Sequence, residues 1–227
     1  MIRLMNARID TFVAPPCADD IAILYQDDAI LLINKPSGLL SLSGKNPLNL
    51  DSVHYRLVQQ FPTALLLHRL DFGTSGIMIV ALNKVVAANI NRQFQARTIV
   101  KTYQAVLAGH VAADEGDIEL PIAKDPVNFP KLKVCFETGK AASSHFQVLD
   151  RQTGPNTTRV LFTPNTGRTH QLRIHSAGLG HPILGCDLYG TPESQGMANR
   201  LQLHATGVEF DHPITEDRFF GICDCPF

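Results

Sequence analysis

The chain reads as short apolar runs separated by polar turns, and the period of each run predicts its element. "IAILYQDDAILLINKP" is strand, acidic turn, strand: Asp27-Asp28 supplies the turn and Pro36 ends the second run. "DSVHYRLVQQF" predicts a short helix with Asp51 or Ser52 near its N-cap. "IMIVALN" is apolar throughout, the pattern of a strand covered on both faces. Asn83 is placed to cap the helix "KVVAANINRQFQAR", where Val86, Ile90 and Phe94 recur at helical spacing. "IVKTYQAVLAG" returns as a strand, and because side chains alternate along it, Lys101 and Tyr103 share a face. Over 131–163, "KLKVCFET", "SSHFQVLD" and "TTRVLFT" predict antiparallel strands, joined at Gly139 and at Gly154-Pro155-Asn156. "TPNTGRTHQLRIHSAGLG" predicts a turn and then a helix, capped by Thr169 and stopped at Gly178 or Gly180. "LQLHATGVEFDHP" and "RFFGI" predict a last strand pair. Strands and helices mix without regular βαβ alternation, so the fold class is α+β with a mixed, mostly antiparallel sheet.

Composition narrows this picture. The 227 residues, 44% of them hydrophobic, suffice for one sizeable core. There is no internal repeat and no obvious linker, so one catalytic-sized unit is the simplest reading. No apolar run approaches the ~20 residues that span a bilayer. The first twenty residues lack the apolar stretch of a signal peptide, and a cytoplasmic protein is expected. The five cysteines include no Cys-x-x-Cys pair, which predicts reduced thiols. Cys223-Asp-Cys225 lacks a second close-spaced ligand pair, so no metal is expected there.

Net charge is −1, but the charge is segregated. Residues 72–113 contain no acid, yet hold Lys84, Arg92, Arg97 and Lys101. Residues 151–186 contain none either, and hold Arg151, Arg159, Arg168 and Arg173. If the two stretches meet in space they form a positive groove on a neutral protein, attractive to a polyanion such as RNA. Chance clustering is the plainer alternative.

Candidate chemistry lies in two places. "HRLDFGTSG" sets Asp71 between the apolar runs "TALLL" and "IMIVAL", at the rim of a packed sheet. Such an aspartate either accepts the amides of Gly73 or Thr74 in an Asx turn or does chemistry. Arg69, two residues earlier in an extended segment, points the same way. "GTSG" lets the backbone turn sharply and approach a ligand closely. The second place is "NTGRTHQLRIH", with Arg168, His170, Arg173 and His175. Arg168 precedes a helix N-terminus, which favours anions. Arg173 could equally be an exposed helical charge, and the histidines could serve packing or capping. The two histidines are five residues apart, not at the spacing of a zinc helix. No dinucleotide, P-loop or nucleophile-elbow pattern is present.

These blocks together resemble the RluA-type pseudouridine synthases. "HRLDFGTSG" is similar to that family's signature around its catalytic aspartate, and "ILYQDDAILLINKPSGLL" to its N-terminal motif. "VKTYQAVLAG", "TGRTHQLRIHSAGLGHPILGCDLYG" and "RLQLHATGVEFDHP" resemble its later motifs, in family order from about residue 20 to residue 213. The resemblance implies a single catalytic domain over 20–227 behind a 1–19 extension, with a central cleft flanked by helices and loops. It implies a reaction in which the uracil N1–ribose C1′ bond breaks, the base rotates, and C5 is joined to C1′, with no cofactor and no metal. Asp71 takes the position of the essential carboxylate, acting on the ribose or the uracil ring. Arg173 takes that of its cationic partner, and Tyr103 that of the ring packed on the target uracil. Lys101 and Leu172 would line the pocket, with Leu70 and Thr74 among the substrate-binding residues. Arg69 would fill the gap left by a flipped base or hold its phosphate. Arg92, Arg97, Lys84 and Arg168 are candidate backbone contacts.

About twenty residues precede the first motif, too few for the S4-type RNA-binding module of many relatives. The short form resembles the dual-specificity branch, whose substrates are the uridine at position thirty-two of the tRNA anticodon loop and a hairpin loop of 23S rRNA. The alternatives are a sibling synthase acting on another tRNA or rRNA uridine, a non-catalytic RNA-binding relative, and a small-molecule enzyme using an Asp–Arg pair. Cys186 in "LGCDLYG" and the tail "CDCPF" depart from the commonest family form, and neither is expected to touch the chemistry.

Overall fold

The computed structural model describes residues 12–227. The elements follow in the order β1 (Ala22–Gln26), β2 (Ile30–Lys35), α1 (Val53–Val58), β3 (Leu65–Leu66), β4 (Ser75–Ala81), α2 (Lys84–Ala96), β5 (Val100–Ala108), β6 (Glu115–Glu119), β7 (Ile122–Lys124), β8 (Leu132–Val134), β9 (Ser143–Thr153), β10 (Asn156–Pro164), α3 (Gln171–Gly178), α4 (Pro192–Gly196), β11 (Leu203–Asp211) and β12 (Arg218–Ile222). Ten strands form one sheet in the order β1-β2-β4-β11-β5-β10-β9-β6, with β3 beside β4 and β12 beside β11. Its central pair, β4 and β11, runs parallel, with His204 opposite Ser75 and Ala205 opposite Gly76, and the neighbouring pairs are antiparallel. The α+β mixed sheet expected from the pattern is therefore present.

Gly76 explains how the parallel pair closes. Its φ is +115°, and a Cβ there would lie 2.2 Å from the Ala205 carbonyl oxygen. Only glycine fits both demands. The close approach that "GTSG" permits is to a neighbouring strand.

Two packed clusters flank the sheet. One joins Ile30–Ile33 of β2 and Ile77–Ala81 of β4 to Val86 and Ile90 of α2. The other joins Ala105 and Leu107 of β5, Val160 and Phe162 of β10, and Leu172 of α3. Each Ile, Leu, Val, Met or Phe side chain among them, fully buried, contributes ~1.5–3 kcal/mol. Tyr103 packs against both clusters, so β5 carries it to the seam between them.

The helix caps are mostly those the sequence predicts. Tyr55 N–H donates to Ser52 Oγ at 3.1 Å, and Val86 N–H to Asn83 Oδ1 at 2.9 Å. α3 is an exception, because its N-cap is His170, not Thr169, at φ +56° and without a side-chain cap bond. Gln171 holds the preceding turn instead: its Oε1 accepts from Thr166 Oγ1 at 2.7 Å and from Arg168 N–H at 2.9 Å. A second correction concerns "KLKVCFET". Its strand is only Leu132–Val134, and it pairs with β7 in a separate two-stranded sheet rather than with β9. Leu132 and Val134 pack on the small cluster of Ile122, Ala142 and Ile174, which draws the hairpin away from the main sheet. The chain then turns sharply, Gly139 N–H donating to the Cys135 carbonyl at 2.9 Å.

Of the expected 1–19 extension, residues 1–11 lie outside the described residues. Residues 12–19 are strapped to the body: Asn49 Nδ2 donates to the Phe12 carbonyl at 2.7 Å, and Arg56 donates to the carbonyls of Cys17 and Asp19 at 2.6 Å.

Candidate active site

Three segments converge on one cleft of about 2160 Å³: the turn before β4, the start of β5, and the turn into α3. They bring Asp71 and Arg69, Lys101 and Tyr103, and Arg168, His170 and Arg173 to its walls. Arg97 and Lys101 come from one acid-free stretch, Arg168 and Arg173 from the other, so the two stretches meet in one groove. Lys45, Arg69 and Arg200 add to its positive charge, against Asp19, Asp71 and Asp187.

Asp71 sits in the 71–74 turn, whose backbone bond runs from Thr74 N–H to the Asp71 carbonyl at 3.1 Å. Its carboxylate is 26% exposed and faces Arg173 Nη1 at 3.7 Å and His170 Nε2 at 3.9 Å. Among the described residues no backbone amide bonds to that carboxylate, so the Asx-turn alternative does not describe it. The turn rests on Lys35, which is fully buried. Lys35 Nζ donates to the carbonyls of Pro36 at 2.8 Å, Leu39 at 2.7 Å and Phe72 at 3.3 Å. Burial pulls its pKa down to about 7, while three carbonyl acceptors match the three N–H groups of the ammonium.

Arg173 is 4% exposed and is held on every side. Its Nη2 donates to Asp187, its Nε donates to Cys186 Sγ at 3.4 Å, and its guanidinium lies 5.4 Å over the Tyr189 ring. Burial opposes the cation, but Cys186, Asp71 and Asp187 outweigh it and raise the pKa. Cys186 therefore does touch the site, contrary to the sequence expectation, because α3 points Arg173 directly at the loop carrying it.

Tyr189 also links His170 to the β7–β8 hairpin. Its hydroxyl lies 2.8 Å from His170 Nδ1 and accepts from Leu132 N–H at 3.0 Å. Burial lowers the His170 pKa and Asp71 pulls the other way; the net shift is downward, so the ring is mainly neutral at pH 7. Burial, aided by the Asp71 charge, pushes the Tyr103 phenol well above its ordinary range. Burial lowers the pKa of Lys101, whose ammonium has no hydrogen-bond partner among the described residues.

Some expected site residues lie elsewhere. Leu172 and Thr74 are buried and absent from the cleft wall: Leu172 turns into the second core cluster, and Thr74 closes the turn at its buried end. Leu70 is buried but reaches the wall, its carbonyl accepting from Ser41 Oγ at 2.7 Å. Arg92 and Lys84 are exposed on α2, away from the cleft. Arg151 pairs with Asp114, and Arg159 lies over the Phe227 ring. Sequence reasoning left Asp187 and Tyr189 without a role, and "LGCDLYG" was the only signal for them. Among the described residues no group of three or more His, Cys, Asp or Glu side chains is arranged to hold a metal.

Comparison with known proteins decides the family. A profile described as RNA pseudouridylate synthase matches residues 29–178, a span containing Asp71, Lys101, Tyr103, His170 and Arg173 of this cleft. The chain belongs to the RNA pseudouridylate synthase family. It is 51% identical over 205 residues to the dual-specificity RNA pseudouridine synthase RluA of Yersinia pestis, covering 90% of this chain and 99% of that one. It is 47% identical over 199 residues to the protein of the same name from Escherichia coli K12, covering 88% and 90%. Human RNA pseudouridylate synthase domain containing 1 superposes with a TM-score of 0.78 at 29% identity, covering 94% of this chain and 86% of that one. The protein is thus a pseudouridine synthase, an isomerase acting on RNA, with the single-domain fold of the family. Among the described residues no helix is long and apolar enough to cross a membrane.

Proposed function

We propose that this synthase isomerises a specific loop uridine in tRNA, of the position thirty-two type, and a stem-loop uridine in 23S rRNA, in the cytoplasm. The observation that carries the chemistry is the Asp71 carboxylate facing buried Arg173 at 3.7 Å inside a cationic cleft. Two relatives named dual-specificity synthases, at 51% and 47% identity over most of their lengths, support the paired substrates.

The roles follow from the groups. Asp71 is the carboxylate acting on the ribose or the uracil ring as the N1–C1′ bond breaks and the C5–C1′ bond forms. Arg173 sets a fixed positive charge 3.7 Å from that carboxylate. Tyr103 packs on the flipped uracil. As a neutral phenol at pH 7, it meets C5–H with an oxygen lone pair; that proton leaves C5 as the C5–C1′ bond forms, and N1, freed from C1′, takes one in its place. Lys101, an ammonium without a hydrogen-bond partner among the described residues, binds a uracil carbonyl or a phosphate. Arg69 fills the stack the base leaves, and Arg97 and Arg168 hold the backbone. Neither metal nor cofactor takes part.

Pseudouridine mapping of unmodified tRNA and 23S rRNA transcripts after treatment with the enzyme tests the substrate pair. One modified loop uridine in each is expected. Modification of only one RNA would leave a synthase of single specificity.

A further inference from the structure

The β7–β8 hairpin is not accounted for by the reaction. Its tip, 125–131, projects beside the cleft, and Phe129 and Pro130 belong to the cleft wall that holds Asp71. Phe129 is 69% exposed, so its ring face at the cleft wall is open to a ligand. Leu132 and Val134 pack inward, while Lys131 and Lys133 are exposed. Lys124 and Lys140 lie on the same small module. Of its two acids, Asp125 is spent on the tip itself: Oδ1 accepts from the amides of Val127 and Asn128, and Oδ2 accepts from Asn128 Nδ2 at 2.8 Å. The tip is thereby shaped before any ligand arrives. Its base is fastened to the catalytic wall, since Leu132 N–H donates to the Tyr189 hydroxyl beside His170 and Arg173.

We propose that this hairpin is an RNA-loop clasp, with the exposed Phe129 ring stacking on an unpaired base beside the target uridine and Lys131 and Lys133 contacting the adjoining phosphates. Single-stranded nucleic acid is held in this way, by a basic track with aromatic platforms along it. Loops supply unstacked bases and duplexes do not, so the clasp selects loop uridines. The inference rests on RNA being the substrate, and it adds a contact surface outside the reacting groups.

The test measures binding and turnover separately. Binding is read by fluorescence anisotropy of a labelled tRNA anticodon stem-loop and of a fully paired duplex of equal length, both in an Asp71→Asn background. Phe129→Ala should weaken stem-loop binding by about tenfold, the scale of one lost base–aromatic stack, and leave duplex binding within twofold. Phe129→Trp should restore it. Lys131→Ala with Lys133→Ala should flatten the salt dependence by roughly 0.7–0.9 per lost phosphate contact. In the Asp71 enzyme, Phe129→Ala should raise KM by a similar factor with kcat little changed. Unchanged stem-loop affinity in both hairpin variants would overturn the clasp, whether or not the enzyme forms pseudouridine. Equal weakening on stem-loop and duplex would overturn the stacking role. A wild-type dimer lost in Phe129→Ala, with RNA affinity intact, would make the tip a protein interface and overturn the proposal. Absent turnover of wild type on every RNA would instead overturn the proposed function, and the binding data would still decide the clasp.

Discussion

Arg173 approaches Asp71 to 3.7 Å from inside the protein, and it does so already paired to Asp187. The cation is thus fixed before substrate enters, with Nη2 on one carboxylate and Nη1 turned toward the other. A lysine has one ammonium and cannot make both contacts while donating to Cys186. Arg173→Lys should therefore lower kcat by roughly 10²–10³-fold, the range for removing one preorganised charge contact. RNA affinity should stay within a few-fold. Single-turnover kinetics with a filter-binding control check this, and near wild-type kcat would refute it.

The Tyr189 hydroxyl bridges His170 and the hairpin, while its ring carries Arg173. Tyr189→Phe removes the bridge and keeps the ring. One hydrogen bond of this kind contributes ~1 kcal/mol, so activity should fall about fivefold. Tyr189→Ala, which also removes the platform under Arg173, should lose far more. Equal effects of the two substitutions would show that the hydroxyl, not the ring, holds the site.

Lys35 ties the turn that carries Asp71, through the Phe72 carbonyl, to the 36–39 segment, through those of Pro36 and Leu39. Lys35→Met fills the volume but leaves the Pro36 and Leu39 carbonyls without their donor, while Phe72 keeps only Gly38 N–H. A loss of ~3 kcal/mol is expected, with a melting temperature lower by about 6–12 °C. Thermal unfolding of the two proteins settles it, and an unchanged Tm would mean the turn stands without the lysine.

Two histidines, His68 half-buried at the cleft wall and His204 buried, set the acid limb of stability. Burial holds His68 at about 3 and, with Arg200 nearby, His204 at about 4. His68 Nε2 accepts from Ile79 N–H at 3.0 Å, which requires the neutral ring. Both values lie below the ~6.5 of an unfolded chain. Between pH 6.5 and these values the unfolded state binds protons that the native state refuses. Stability is therefore fully present above pH 6.5 and falls as pH drops toward 3–4, by at most ~1.4 kcal/mol per pH unit per histidine. Urea midpoints at pH 7.5 and 5.0 should show the fall, and His68→Gln should flatten it. A midpoint that rises on acidification would contradict the assignment.

Much of this was legible because it is local or periodic. Asp27-Asp28 and Pro36 bounded the first hairpin, Asn83 marked the start of α2, and alternation put Lys101 and Tyr103 on one face. The ordered motifs then pointed to Asp71 and Arg173. What escaped depends on contacts between distant segments. The pairing of Arg173 with Asp187 and Cys186 depends on how α3 meets the following loop, and no spacing rule encodes that. Thr169 had the right chemistry for a cap, but Gln171 satisfied the turn and moved the helix start by one residue. "KLKVCFET" alternated like a sheet strand, yet its apolar face found Ile174 of α3 rather than β9. Leu172 was assigned to the pocket by motif position, while its helix face turned it into the core.

The central claim is that Asp71 is the reacting carboxylate. Asp71→Asn keeps the shape and removes the charge, so pseudouridine mapping on tRNA and 23S rRNA with this variant tests it most directly. No modification of either RNA under conditions where wild type goes to completion, with stem-loop affinity retained, is the predicted result. Pseudouridine formation at the wild-type rate would contradict it and return "HRLDFGTSG" to the role of a structural turn.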